Sequence, residues 1–195
     1  MSKTVEFYYD YVSPAAYLAW TQIYKIAERN GATVIRKPAL LGGIFKTVGN
    51  SPPANIPAKG KWLFDDLGRF AKRYGVPFVF NDKFPVNTLY LMRGALFAQK
   101  QGFIEAYDKA CFEAVWANNQ DMSDPAIVTQ VMKDAGLDPV AIGESMQAAD
   151  IKKELFAVTA EAVENGLFGM PGFIVDGALY WGQDRMDFVE EALAD

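Results

Sequence analysis

The sequence predicts an α/β protein in which a small sheet domain is interrupted by a long helical segment. Three observations carry that expectation. The β-favouring and aromatic run Val5-Glu6-Phe7-Tyr8-Tyr9 changes period at Ser13-Pro14 and becomes a helical pattern. No stretch between residues 81 and 169 has convincing strand character. Beyond it, two short β-rich runs flank the turn signal Asp176-Gly177.

Taken in order, a strand through Tyr9 gives way to a helix from Pro14 to Asn30, with serine at the cap, proline at the first helical position and Gly31 at the end. Thr33 to Lys37 reads as a second strand, closed by Pro38. A strand, helix and strand of these lengths form a βαβ unit with a parallel pair. Leu40 to Val48 is a short helix, Gly49 to Pro57 a loop held extended by three prolines, and Lys59 to Tyr74 a helix. Phe78 to Phe80 is an apolar connector. Further helices are expected at 87–101, 103–116, 125–134, 140–148 and 151–164. The strands Gly172 to Val175 and Ala178 to Trp181 then form a hairpin, and Met186 to Leu193 a last helix. The sheet domain is thus assigned to 1–38 and 156–195, and the helical insertion to 39–155. This is the element order of a thioredoxin-like fold.

Composition narrows the chemistry. A chain of 195 residues with 51% hydrophobic and 22% charged residues can bury a full core without disulfides or metal staples. A net charge of −5 argues against nucleic acid or an anionic membrane as the main partner. No apolar run approaches the roughly 18 residues of a membrane span, and the first residues lead into a strand, so a cytoplasmic location is expected. The single cysteine, Cys111, excludes an internal disulfide, a CxxC pair and a cysteine-based zinc site. The absence of histidine excludes Ser-His-Asp and Cys-His catalysis and histidine-bound metals. Cys111 falls in a helical pattern, where a buried, inert thiol is expected.

The remaining candidate for chemistry is the joint at Ser13. An isolated Ser-Pro caps its helix. Here the cap ends the first strand of an α/β domain, where ligands gather, and the unpaired N–H groups and positive dipole of a helix start attract anions. In a thioredoxin-type arrangement the loop before the third strand faces this joint, and a cis Met170-Pro171 bond there would present the Met170 backbone to an extended peptide. Redox members of the fold carry a nucleophilic cysteine at the cap. Serine without a general base is a poor nucleophile. The proline-stiffened loop offers Asn50, Asn55 and Lys59 as candidates for fixed presentation.

Four separated motifs carry a resemblance that spans nearly the whole chain: Phe7-Tyr8-Tyr9-Asp10-Tyr11-Val12-Ser13-Pro14; Lys46 with Gly49-Asn50-Ser51-Pro52-Pro53; Phe168-Gly169-Met170-Pro171; and Trp181-Gly182-Gln183-Asp184-Arg185. The chain resembles the 2-hydroxychromene-2-carboxylate isomerases of bacterial aromatic (naphthalene) degradation, relatives of the kappa-class glutathione transferases in the DsbA-like branch of thioredoxin folds. The resemblance implies a cytoplasmic homodimer that binds glutathione and a small aromatic carboxylate, with the glutathione sulfur beside the Ser13 hydroxyl. A free thiol has a pKa near 8.5, and a helix terminus plus a hydrogen bond worth about 2 kcal/mol would lower it by roughly 1.5 units. The thiolate would then be about half the population at neutral pH.

By the same resemblance Met170 supplies main-chain contacts to the cysteinyl part and Asp184 receives the γ-glutamyl ammonium, with Gln183 and Arg185 nearby. Asn50 and Lys59 match glutathione-holding positions, and Lys46 and Asn55 match substrate positions. Taken alone, Asp184 reads as a helix cap and Arg185 as a surface ion pair. The implied reaction is reversible addition of the thiolate to a conjugated carbon, rotation about the resulting single bond, and expulsion of the thiolate. Ala15 stands where the family commonly has an aromatic residue after Ser-Pro, which implies a wider pocket. The alternatives are a kappa-class-like glutathione transferase and a non-catalytic thiol- or peptide-binding protein of the same fold.

Overall fold

β1 (Thr4–Tyr9) is an inner strand of a four-stranded mixed sheet. In the computed structural model, which describes residues 3–194, it pairs in parallel with β2 (Thr33–Pro38) through the helix α1 (Pro14–Arg29). On its other side it pairs antiparallel with β3 (Gly172–Val175), which turns at Asp176-Gly177 into β4 (Ala178–Trp181). The order β2-β1-β3-β4 is that of the expected thioredoxin-like sheet.

Because side chains alternate across a strand, β1 serves two cores. Val5, Phe7 and Tyr9 enter the large core with α1 and the helical segment, while Tyr8 joins a smaller cluster with Ala39, Ile44, Ala162, Leu167 and Met170. Phe7 stacks on Phe173 of β3 at 5.3 Å between ring centroids. Each such fully buried ring contributes roughly 1.5–3 kcal/mol relative to exposure, which fixes the register that carries β1 into Ser13.

The helices between the sheet halves are α2 (Leu41–Val48), α3 (Pro57–Tyr74), α4 (Leu89–Gln101), α5 (Ile104–Trp116), α6 (Pro125–Asp134), α7 (Pro139–Ser145) and α8 (Ala149–Glu164); α9 (Met186–Ala194) follows β4. The proline-rich loop contains a 3₁₀ turn at Pro53–Asn55. α3 starts two residues before the expected Lys59, because Pro57 suits a first helical position. α4 starts at Leu89 instead of Asn87: Asn87 Oδ1 accepts from Leu89 N–H at 3.2 Å and so lies outside the helix. Asp138 caps α7 through the N–H groups of Val140 and Ala141, and that helix ends at Ser145, three residues short of expectation. α8 runs unbroken across 155–156, where the sequence divides the insertion from the sheet domain, and packs on α2, α4 and β2. It belongs structurally to both parts.

A buried polar knot joins sheet and helices. Tyr9 and Tyr11 donate to Asp108 Oδ1 at 2.8 and 2.6 Å, and Arg36 Nε lies 3.5 Å from Asp108 Oδ2. Burial pushes the Asp108 carboxyl up to about 7, against the lowering by its two tyrosine hydrogen bonds and Arg36. Trp116, fully buried, donates its indole N–H to the Tyr11 carbonyl at 2.8 Å.

α4 and α5 approach closely at Gly94, where a Cβ would overlap the Tyr107 hydroxyl and lie 2.7 Å from Tyr107 Cζ. That ring is fully buried and held by a hydrogen bond from its hydroxyl to the Leu91 carbonyl, so it has no room to retreat. Gly94→Ala is expected to lower stability by about 1–3 kcal/mol through overpacking, although alanine gains roughly 1 kcal/mol of helix propensity. Urea unfolding checks this. A midpoint equal to or above that of the wild type would refute the close approach.

Candidate active site at the start of helix α1

Ser13 is only 4% exposed and has extended backbone at the N-cap of α1 (φ −91°, ψ 113°). Its Oγ accepts from Ala16 N–H at 3.1 Å and donates to the Met170 carbonyl at 3.1 Å. The Met170-Pro171 bond is cis, as the thioredoxin-type arrangement requires. The helix start and the loop before β3 therefore meet as expected, with one difference: the Met170 carbonyl is engaged by Ser13. The Met170 N–H, among the described residues, donates to no group of the chain.

Around this meeting point lies a cavity of about 540 Å³, within the usual range for small-molecule sites. One wall is Val12 to Ala15; a second is Leu41, Gly42 and Phe45 of α2; a third is Asn50 to Ala54 with Trp62, Phe64 and Asp66 of α3; the last is Phe168 to Met170 with Trp181 to Asp184. Phe84 and Pro85, joined by a second cis bond, close the floor. Ala15 contributes only a methyl group to its wall.

Of the residues expected to hold a ligand, Ser13, Asn50, Met170, Gln183 and Asp184 all line this cavity. Asn50 follows the α2 terminus at Gly49 and donates from Nδ2 to the Phe168 carbonyl at 2.8 Å, which pins the proline-rich loop to the loop before β3. Gln183 is buried, and its carbonyl accepts from the Tyr74 hydroxyl at 2.9 Å. Half-burial pushes that phenol up to about 12. Asp184 is ion-paired with its neighbour Arg185, so an ammonium group arriving at Asp184 competes with a guanidinium already there. Lys46, Asn55, Lys59 and Arg185 do not line the cavity; they are exposed on the elements that flank it.

The aromatic walls were given no role from the sequence, although Phe168 and Trp181 stand in the motifs that carry the resemblance. Trp62, Phe168 and Trp181 are 60%, 42% and 41% exposed, and Phe168 meets Trp181 at 5.1 Å between centroids. On α3 the apolar spacing around Trp62 looks like an ordinary core face. The available signal was Phe84-Pro85, the one aromatic-proline pair in the sequence, which falls between the connector expected at Phe78 to Phe80 and the helix expected from 87. Cys111 is fully buried on α5, and burial holds its thiol well above its ordinary range. The chain thus brings a hydroxyl, a helix start and a free backbone N–H to the cavity, but no nucleophilic sulfur of its own.

A sheet of this order, a cis-proline loop facing a helix cap, and helices inserted after the βαβ unit define a thioredoxin fold of the DsbA-like class. The family model described as a DSBA-like thioredoxin domain matches residues 4–194. A curated 2-hydroxychromene-2-carboxylate isomerase from Sphingobium xenophagum is 32% identical over 197 residues, covering 100% of both chains. The chain therefore belongs to the 2-hydroxychromene-2-carboxylate isomerase family within the DSBA-like thioredoxin domains. A solved structure of a 2-hydroxychromene-2-carboxylate isomerase superposes with a TM-score of 0.88 at 26% identity, over 97% of this chain and 94% of that one. Human glutathione S-transferase kappa 1 is 26% identical, with 100% of this chain and 92% of that protein covered. Among the described residues no helix is long and apolar enough to cross a membrane.

Proposed function

We propose that the chain is a glutathione-dependent isomerase that interconverts 2-hydroxychromene-2-carboxylate and trans-o-hydroxybenzylidenepyruvate, or a close aromatic analogue. The observation that carries this reading is Ser13 at the α1 cap, hydrogen-bonded to Met170 beside the cis proline, on the wall of an aromatic-lined cavity. The absence of histidine and the sealed thiol support a nucleophile that comes from a bound molecule. Bound glutathione supplies a thiolate that adds reversibly to the conjugated carbon of the substrate.

The chain's own residues fit that guest. Ser13 donates a hydrogen bond from its hydroxyl to the sulfur by turning away from the Met170 carbonyl, while its oxygen lone pairs keep Ala16 N–H capped. The Met170 N–H and, once freed, the Met170 carbonyl hold an extended cysteinyl backbone. Asp184, with Gln183 beside it, takes the ammonium end in exchange for Arg185, and Asn50 and Lys59 meet the other end. Phe45, Trp62, Phe64 and Trp181 offer the aromatic ring apolar faces. Lys46 and Asn55, exposed on the flanking elements, are assigned to the substrate carboxylate, where a cation stabilises developing negative charge.

The kappa relative supports a second reading, conjugation of glutathione to an electrophile, which needs only that the adduct leaves before it collapses. Isothermal calorimetry is expected to show glutathione binding at or below millimolar concentration. With a hydroxychromene carboxylate, spectral conversion without loss of free thiol is expected. Conversion with stoichiometric thiol loss would favour the transferase. No glutathione binding at millimolar concentration would leave a non-catalytic binder as the better account.

A further inference from the structure

Three chain segments that wall the cavity converge on one buried carboxylate outside it. Asp10 is 2% exposed and stands three residues before Ser13, whose N–H donates to the Asp10 carbonyl at 3.0 Å. Its Oδ1 accepts from Val12 N–H at 3.1 Å and from the Thr88 hydroxyl at 2.6 Å, and its Oδ2 accepts from Leu41 N–H at 2.9 Å. Val12 belongs to the turn that ends in Ser13. Leu41 is the first residue of α2, and its preceding residue, Leu40, gives that helix no side-chain cap. Thr88 stands at the start of α4, three residues beyond the cis Phe84-Pro85 floor, and spends its hydroxyl on Asp10 instead of capping its own helix.

We propose that Asp10 is a positioning residue that fixes the substrate side of the site, α2 with Phe45 and Lys46, against the thiolate side at Ser13. The inference rests on the isomerase reading above for its kinetic part. A short helix of eight residues with no cap of its own has little intrinsic stability, and the carboxylate reaching over from the first βα turn satisfies one of its orphan N–H groups. The same carboxylate orders the turn that aims Ser13. Among the described residues Oδ2 has Leu41 as its one hydrogen-bond donor, while Oδ1 holds the other two. The α2 tether can therefore be cut separately.

Asp10→Asn does so. With the amide oxygen at the Oδ1 position, Val12 and Thr88 keep their acceptor, and the amide nitrogen faces the Leu41 N–H with no lone pair to offer. Asp10→Asn is expected to raise KM for the aromatic substrate about tenfold, to leave the glutathione Kd within about twofold, and to speed amide hydrogen exchange at Leu41 at least about tenfold. Thr88→Val, which keeps the side-chain shape and removes the other tether, is expected to slow turnover, with Thr88→Ser restoring it. A folded Asp10→Asn protein with unchanged exchange at Leu41 overturns the tether. Glutathione Kd and substrate KM moving by the same factor overturn the positioning role and leave a general loss of stability. If Asp10→Asn fails to fold, the Thr88 pair decides: equal turnover in valine and serine variants refutes the proposal. If the wild type itself does not bind glutathione, the isomerase reading falls, and exchange at Leu41 still decides whether the tether exists.

Discussion

Ser13→Ala is expected to lower kcat/KM for isomerisation by about 10- to 100-fold and to return the bound thiol toward its free pKa near 8.5. The magnitude follows from one hydrogen bond to a charged sulfur, worth about 1.5–3 kcal/mol, which is roughly one to two decades in rate or one to two pKa units. The Ser13 hydroxyl donates to the Met170 carbonyl at 3.1 Å, so on the proposed reading the bond to glutathione would replace an existing one. That exchange places the net gain toward the lower end of the range. The variant also loses the α1 cap to Ala16 N–H, at about 1 kcal/mol of stability, which leaves enough fold to assay. Thiolate absorbance of the glutathione complex as a function of pH, measured beside kcat/KM, separates the two effects. Full activity together with an unmoved titration would remove Ser13 from the chemistry.

The second large effect concerns pH. Burial pushes the Asp108 carboxyl up to about 7 in the folded chain, against about 3.9 when unfolded. Between those values the folded state holds the proton longer than the unfolded state. Stability is therefore fully present below the lower value and falls as pH rises through the window, by on the order of 4 kcal/mol once pH exceeds 7. Asp10, also buried and also shifted upward despite its three hydrogen bonds, works in the same direction. Asp108→Asn retains an acceptor for the Tyr9 and Tyr11 hydroxyls and cannot titrate. It is expected to remove most of the decline between pH 5 and pH 8 in denaturant-derived stability. Parallel profiles for variant and wild type would mean that the carboxyl does not titrate in this window.

Much of the fold is written in local signals. Pro14, Pro125 and Pro139 each open a helix after a capping serine or aspartate, and Asp176-Gly177 turns the hairpin. These depend on residues within a turn of one another, so they survive being read one after another. The Ser13 joint and the Met170-Pro171 loop were legible for the same reason, and their meeting followed from the element order. The wall residues Trp62 and Phe45 were not legible, because they sit at spacings that suit a core face and only the assembled structure reveals them facing a void. Asp108 illustrates the same limit: its tyrosine partners lie 97 and 99 residues away. Asp10 is adjacent to the motif, yet two of its three partners lie 31 and 78 residues off. Charge placement at the rim was the least legible, since Lys46 and Lys59 are long and exposed, and spacing alone does not say whether such a chain reaches inward.

The sealed position of Cys111 has a practical consequence. Its sulfur is fully buried in the large core, so an alkylating reagent reaches it only when that core comes apart. The rate of its modification is then a built-in gauge of core opening, and oxidised tripeptide in the medium leaves the intact chain covalently unchanged.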